Sequence, residues 1–111
     1  MEKNFKKDLM VKGNAVKRLL KEYKSYENEV AKLQAKYDEL KTNGEDQYGL
    51  KKQDEFLQES ISCRDIVKPK LRSMTDDLTS YVNEVPPEQQ ELEEYKNAIQ
   101  FLESVKEAFS N

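Results

Sequence analysis

The sequence contains no histidine, a single cysteine, Cys63, and three glycines in 111 residues. Without histidine it has no Ser-His or Cys-His pair for nucleophilic catalysis. It also has no glycine-rich phosphate loop and no CxxC or HExxH metal spacing. Neighbouring carboxylates such as Asp76 and Asp77 point in different directions on a helix, which is typical of solvated surface charges. We therefore predict that the protein is not an enzyme and that it has no metal or other cofactor.

Long apolar runs are also missing. No apolar stretch reaches the roughly 18 residues of a transmembrane helix, and no short apolar stretch near the N-terminus has the form of a signal peptide. A lone cysteine allows no internal disulfide and fits a reducing cytosol. We expect a soluble, cytoplasmic protein.

Charge is abundant but unevenly distributed. Charged residues make up 37% of the chain and the net charge is −3, which argues against broad nucleic-acid binding. Residues 1–24 hold eight Lys or Arg against three Asp or Glu, and residues 75–111 hold two against nine. The two segments could attract each other within a bundle, or the basic one could face an acidic partner.

The first half of the chain carries a regular apolar repeat. Its intervals alternate between three and four residues, as in a helix packed along a coiled-coil seam. The residues of the repeat are Val16, Leu19, Tyr23, Tyr26, Val30, Leu33, Tyr37 and Leu40. Just upstream, Gly13 costs about 1 kcal/mol relative to alanine in a helix interior, so we expect a weak point or kink there.

Turn residues divide the rest of the chain into two further helices. The segment TNG at 42–44 predicts the end of helix 1, and the prolines at 86–87 predict the end of helix 2 and the opening of helix 3. Pro69 lies inside helix 2 and costs ~3 kcal/mol in a straight helix, so a bend or restart is expected at 65–69. The apolar residues are Leu50, Leu57, Ile61, Val67, Leu71, Met74, Leu78 and Tyr81 in helix 2, and Leu92, Tyr95, Ile99, Leu102, Val105 and Phe109 in helix 3.

These patterns predict an all-α fold. We expect one domain over residues 1–111, with helices near 3–41, 48–83 and 87–109 joined by short loops. Such a chain forms an elongated antiparallel three-helix bundle, spectrin-like, with coiled-coil-type packing.

The opening of helix 2 raises a question of electrostatics. If Gly49 starts the helix, Lys51 and Lys52 lie in its first turn, where the helix dipole disfavours a basic side chain by about 0.3–1 kcal/mol. Either the helix begins earlier, with Glu45 and Asp46 upstream offsetting the charge, or the lysines face an acidic partner.

Two stretches, VKGNAVKRLLKEYKSYENEV at 11–30 and YGLKKQDEFLQES at 48–60, carry a family resemblance. Together they resemble the tubulin-binding cofactor A family, also called tubulin-specific chaperone A. Its pattern looks like a lysine-rich VKRLxKE turn followed by a helix opening of the form Y-acid-aliphatic-KKQ-x-E-x-L-QES. Gly49 departs from this pattern, and we expect it to cap helix 2 only slightly less well than aspartate. The C-terminal helix matches mainly in character.

The resemblance implies a non-enzymatic three-helix bundle that captures and stabilises β-tubulin on its way to the αβ-tubulin heterodimer. It also implies association with the cytoskeleton and with other tubulin-folding cofactors. Because tubulin is acidic, the basic residues of the two motifs are candidate contacts, with polar residues beside them. The candidate β-tubulin-binding residues are Lys17, Arg18, Lys21, Lys51, Lys52, Gln53, Glu55, Gln58 and Glu59.

Two alternatives belong to other classes. The heptads alone equally fit a structural coiled-coil module that dimerises or docks on a large assembly. A basic amphipathic helix on a membrane surface is disfavoured by Asp8 and Glu22 in the basic segment and by the absence of tryptophan. We therefore expect neither a membrane nor a nucleic acid as partner.

Overall fold

The computed structural model describes residues 4–110, which are all-α. They form three α-helices, α1 (Phe5–Thr42), α2 (Gln47–Glu84) and α3 (Glu93–Phe109), and a 3-10 helix at Pro87–Gln89. No strand occurs in this part of the chain. The prediction of an all-α fold with three helices is confirmed. The predicted start of helix 1 at residue 3 lies outside the described residues.

α1 ends in a Schellman motif at Gly44. The Glu45 N–H donates to the Leu40 carbonyl at 2.9 Å, and the Gly44 N–H donates to the Lys41 carbonyl at 3.2 Å. Gly44 has φ +81°, a left-handed conformation in which a Cβ atom would be strained. The predicted stop signal at 42–44 therefore depends on this glycine.

α2 begins at Gln47, with Asp46 as its N-cap. The Gly49 N–H donates to Asp46 Oδ1 at 2.8 Å, and the Leu50 N–H donates to the Asp46 carbonyl at 3.0 Å. The prediction that Gly49 caps the helix was wrong, because the aspartate carboxylate supplies an acceptor that glycine lacks. Lys51 and Lys52 consequently lie beyond the first turn, where the dipole effect has declined. The earlier start accounts for both lysines without an external partner.

α3 begins at Glu93 rather than at residue 87. Pro87 opens the 3-10 helix instead, and Gln90 Nε2 then donates to the Val85 carbonyl at 3.2 Å. Leu92 has an extended backbone, with φ −59° and ψ 137°, and makes no side-chain cap bond. Pro87 therefore opens a short 3-10 helix, which ends before α3 begins.

The chain groups into two compact units. Unit 1 combines the first part of α1, up to Lys21, with the chain from Pro69 onward, and unit 2 is residues 22–68. A single domain over residues 1–111 stays a prediction.

Unit 1 contains segments of all three α-helices, with the α2 segment antiparallel to the α1 segment. Tyr81 Oη donates to Asp8 Oδ2 at 2.6 Å, and Lys12 Nζ lies 2.7 Å from Asp77 Oδ2 one turn further along. The apolar core of unit 1 is Leu9, Val16, Leu20, Leu71, Leu78, Val82, Val85, Ala98 and Val105. This core holds the side chains that are most completely excluded from solvent.

Unit 2 is a hairpin made of the rest of α1 and the beginning of α2. Tyr23, Leu57, Ser60 and Val67 are buried in it. Seven further apolar residues of its two helices are half-buried, namely Tyr26, Val30, Leu33, Tyr37, Leu40, Leu50 and Ile61, whereas Tyr48, Phe56 and Ile66 are exposed. Two helices cover only one side of each apolar stripe, so the stripe stays partly open.

The two expected weak points do not interrupt the helices. α1 runs through Gly13, and α2 runs through Pro69 without restarting. A Cβ atom on Gly13 would lie 3.4 Å from the Phe101 ring, so the missing side chain leaves room for α3. Tertiary packing of this kind stabilises a helix more than local propensity does. A bend at Gly13 or Pro69 stays a prediction.

The buried face of unit 1 differs in part from the predicted stripes. Met74 and Ile99 are exposed, at 44% and 36% of their surface, whereas Val82 and Ala98 are buried. The α2 segment packs against both α1 and α3, so its buried face is displaced from the stripe that one neighbour would select.

Candidate protein-binding site

The basic residues predicted on helix 1 lie in unit 1, on the surface of α1. Lys17, Arg18 and Lys21 are all exposed. Lys17 Nζ lies 5.8 Å from the centroid of the Phe101 ring, a cation–π distance, so this lysine already contributes to packing within unit 1. Arg18 and Lys21 have no hydrogen-bond or ion-pair partner within residues 4–110, which leaves both free for a ligand.

The remaining candidate residues lie in unit 2, on the first part of α2. Lys51, Lys52, Glu55, Gln58 and Glu59 are exposed, whereas Gln53 is half-buried on the side of Leu57. Side chains four and three residues apart share one helix face. The structure therefore places Lys52, Glu55 and Glu59 along one solvated face and turns Gln53 away from it.

Two of these polar side chains already make local contacts. Lys52 Nζ lies 5.7 Å from the ring centroid of Tyr48, and Gln58 Nε2 donates to Asp54 Oδ1 at 3.3 Å. Both contacts are solvent-exposed and weak, so a partner could replace them at little cost.

Charge attraction inside unit 1 accounts for part of the uneven charge distribution. Lys12, from the basic N-terminal segment, pairs with Asp77 from the acidic C-terminal segment at 2.7 Å. A separate cation–π contact joins Arg72 to α3, with its guanidinium 5.4 Å from the centroid of the Phe109 ring. The basic and acidic segments therefore do attract each other within unit 1, but the ion pair involves only one of the basic residues of α1.

Three large apolar side chains lie on the surface of α2, and the apolar pattern of the sequence did not predict them as surface residues. Tyr48, Phe56 and Ile66 are 71%, 56% and 60% exposed. Phe56 directly precedes the buried Leu57, so it falls off the apolar stripe and between the charged residues of the solvated face. An apolar residue out of register with its stripe is the signal that could have identified it.

Unit 1 also has two surface grooves. The α1–α2 groove, with a volume of about 470 Å³, is lined by Ala15, Arg18, Leu19, Pro69, Lys70, Ser73 and Met74. The α2–α3 groove, with a volume of about 590 Å³, includes Val82, Ile99, Leu102, Glu103, Lys106 and Phe109 in its lining. The charged residues that line the α1–α2 groove are both cationic, whereas the α2–α3 groove is lined by charged residues of both signs.

One tyrosine of unit 2 has a perturbed acidity. The neighbouring Cys63 thiol is the largest influence that raises the pKa of Tyr26, followed by partial burial and by the carboxylates of Glu22 and Glu29. The effect favours the neutral phenol.

Two other kinds of site are absent from the part of the chain that the structure describes. None of the helices in residues 4–110 combines the length and the apolar character needed to cross a bilayer. No cluster of three or more Cys, Asp or Glu side chains within these residues has a metal-binding arrangement.

Comparison with known sequences identifies relatives along most of the chain. The family model described as tubulin binding cofactor A matches residues 4–102. Tubulin-specific chaperone A of Gallus gallus is 40% identical over 100 residues, covering 90% of this chain and 92% of the relative. The Homo sapiens protein of the same name is 34% identical with the same coverage.

Solved structures agree with these sequence matches. The crystal structure of tubulin folding cofactor A from Arabidopsis thaliana superposes with a TM-score of 0.83 at 32% identity, covering 93% of this chain and 96% of that one. The structure of human tubulin chaperone cofactor A gives a TM-score of 0.82 at 33% identity, covering 92% and 98%.

Proposed function

Because the chain belongs to the tubulin binding cofactor A family, we propose that it binds tubulin and acts as a chaperone in tubulin folding. The client is β-tubulin, held in a stabilised form before it joins the αβ heterodimer. This role places the protein in the cytoplasm, in association with the cytoskeleton and with other tubulin-folding cofactors. No chemical step is required of it.

The observation that carries this proposal is the composition of one exposed face at the start of α2. We call this face the α2 surface, and it comprises Tyr48, Lys51, Lys52, Glu55, Phe56 and Glu59. Two lysines and two exposed aromatic rings lie together there, inside the stretch 48–60 that carries the family resemblance. Aromatic residues dominate the energetics of protein interfaces, and folding alone does not favour an exposed phenylalanine.

Each type of residue has a separate role in this proposal. The lysines attract an acidic client and contact it, which raises the association rate. The rings of Tyr48 and Phe56 supply apolar contact area. Glu55, Gln58 and Glu59 provide polar contacts at the margin, and Gln53 contributes less because it is half-buried. Lys17, Arg18 and Lys21 form a second proposed contact region on α1.

The test reverses the two lysines together, as Lys51→Glu with Lys52→Glu. Binding of radiolabelled β-tubulin should weaken by about 1–3 kcal/mol if the lysines touch the client, and less but with a stronger salt dependence if they only steer it. Stability should change by no more than about 1 kcal/mol, since only the exposed contact of Lys52 with Tyr48 is lost.

A matched control separates contact from net charge. Lys32→Glu with Lys36→Glu makes the same charge change at two exposed positions of α1 in unit 2. Equal losses of β-tubulin affinity in the two double variants would show that net charge, and not contact with Lys51 and Lys52, causes the weaker binding. A parallel measurement with α-tubulin tests the preference for the β subunit.

The structural coiled-coil alternative makes the opposite prediction. In that case the wild-type protein binds neither tubulin subunit, and sedimentation equilibrium reveals self-association instead.

A further inference from the structure

The α1–α2 groove of unit 1 has an apolar floor. Ala15 and Leu19 line it from α1, and Pro69 and Met74 line it from α2. Met74 is 44% exposed there, although its position in the sequence pattern predicts a core residue. A flexible, polarizable methionine side chain adapts to the shape of a bound partner and is frequent on binding surfaces. The groove is therefore a surface of the molecule with unsatisfied apolar area.

The charged groups at the groove are both cations. Arg18 and Lys70 line it from opposite helices, and both are exposed. Neither has an ion-pair or hydrogen-bond partner in residues 4–110. Lys12, one α1 turn before Ala15, is instead paired with Asp77 at 2.7 Å. The fold thus neutralises the neighbouring lysine and leaves the two cations of the groove available.

These two properties together select an occupant. An apolar floor between two cations is complementary to an amphipathic helix that has carboxylates beside its apolar side chains. The α2–α3 groove lacks this selectivity, because Glu103 and Lys106 line it together. A second copy of the chain is a poorer match. Its acidic helix α3 already buries Ala98 and Val105, and its exposed rings on α2 lie beside Lys51 and Lys52, which the two cations of the groove would repel.

We propose that the α1–α2 groove binds an acidic amphipathic helix of the tubulin client. This inference rests on the proposed function and adds to it a second, mainly apolar site that is distinct from the α2 surface. Met74 and Leu19 receive the apolar side chains of the client, and Arg18 and Lys70 pair with its carboxylates.

The test compares two methionines of similar exposure in unit 1. Met74→Gln removes apolar contact area from the groove, whereas Met10→Gln makes the same change at a residue that is 48% exposed and does not line the groove. The affinity for purified β-tubulin should fall about tenfold with Met74→Gln and remain unchanged with Met10→Gln. Both variants should keep nearly the wild-type unfolding midpoint, because both side chains are about half exposed and a glutamine amide at either position still reaches water.

Charge reversal tests the second property of the groove. Lys70→Glu should also weaken β-tubulin binding about tenfold, and high salt should reduce the difference from wild type. Lys6→Glu, at an exposed position of α1 away from the groove, is the control.

Photo-crosslinking identifies the occupant directly. A benzophenone side chain placed at position 74 should crosslink to an acidic amphipathic segment of β-tubulin, and the same group at position 10 should not. A crosslink to a second copy of the chain, or to a basic segment, would overturn the inference. So would unchanged affinity of Met74→Gln and Lys70→Glu while the wild type still binds. Failure of the wild type to bind tubulin would instead remove the proposed function itself.

Discussion

Unit 1 and unit 2 use the same kind of helix but bury it to different extents. In unit 1, Leu71, Leu78 and Ala98 are completely buried. In unit 2, Leu57 and Val67 are buried, and most other apolar residues are half-exposed. Segments of three α-helices surround the core of unit 1, whereas unit 2 has two. The number of helices packed around a stripe therefore decides how deeply it is buried.

The regularity of the apolar pattern does not predict this difference. The most regular repeat in the chain runs through residues 16–40, and most of it lies in unit 2, where burial is shallow. Leu71 and Leu78, which belong to the less regular pattern of α2, lie in unit 1 and are fully buried. Periodicity indicates which face of a helix is apolar, but the depth of burial depends on the neighbours.

The largest expected effect comes from the same substitution made in each unit. Leu71→Ala should lower the free energy of unfolding by about 2–5 kcal/mol, because the site is fully buried and a cavity remains. Leu33→Ala, at a half-buried position of unit 2, should cost about 1 kcal/mol, since less apolar surface is lost. Urea unfolding followed by circular dichroism measures both. Equal losses would contradict the difference between the units.

The next effect concerns the N-cap of α2 in unit 2. Asp46→Ala should cost about 1 kcal/mol, because the Gly49 N–H loses its acceptor at 2.8 Å. Asp46→Asn keeps an acceptor oxygen and is the control, with little change expected. α3 in unit 1 begins without such a bond at Leu92. Leu92→Ala should therefore remove no capping hydrogen bond, and the amide-exchange rates of the first turn of α3 should stay unchanged.

A smaller effect is expected from adding a methyl group to a glycine in each unit. Gly49→Ala should raise stability by up to about 1 kcal/mol. Its Cβ atom would lie 2.8 Å from the Glu45 side chain, which is flexible and can rotate away at the cost of an exposed 3.1 Å hydrogen bond from the Asp46 N–H. Gly13→Ala should gain less, because its Cβ atom meets the packed Phe101 ring at 3.4 Å. Thermal unfolding of both variants measures the order, and a larger gain at Gly13 would contradict it.

The smallest effect is confined to high pH. Burial, followed by the hydrogen bond to Asp8, raises the pKa of Tyr81 from 10.0 to about 12. The folded state thus holds the phenol proton more tightly than the unfolded state. The stability that this raised pKa contributes is complete below pH 10 and is lost as the pH rises toward 12. The stability difference between wild type and Tyr81→Phe should therefore shrink across this range, whereas a constant difference would argue against a shifted tyrosine.

Most of the secondary structure was predictable because its signals are local. Gly44 ends α1 in a left-handed conformation, which glycine adopts without strain because it has no Cβ atom. The late start of α3 was not predictable in this way, since Pro87 suits the first turn of a 3-10 helix as well as that of an α-helix. Asp46, directly before α2, is a local capping signal, and its carboxylate makes it a better predictor of the helix start than Gly49.

The candidate site was predictable only in its charged and polar residues. Lys51 and Lys52 are exposed as expected, because a charged side chain leaves a core wherever solvent is available. Phe56 and Met74 were not identified as surface residues, since an apolar side chain is placed by its neighbours rather than by its own chemistry. Gln53 was predictable, because it lies three residues after Leu50 and four before Leu57, on the apolar stripe of helix 2, and it is half-buried there.

The sequence by itself determined the three helices, their approximate ends and the apolar face of each. These features depend on backbone conformation, capping and the 3.6-residue period, all of which act over a few neighbouring residues. Only the tertiary structure decided that Met74 lines an open groove while Val82 and Ala98 are buried. Burial depends on segments far apart in the chain, such as Gly13 with Phe101 and Asp8 with Tyr81, whose contacts no local pattern encodes.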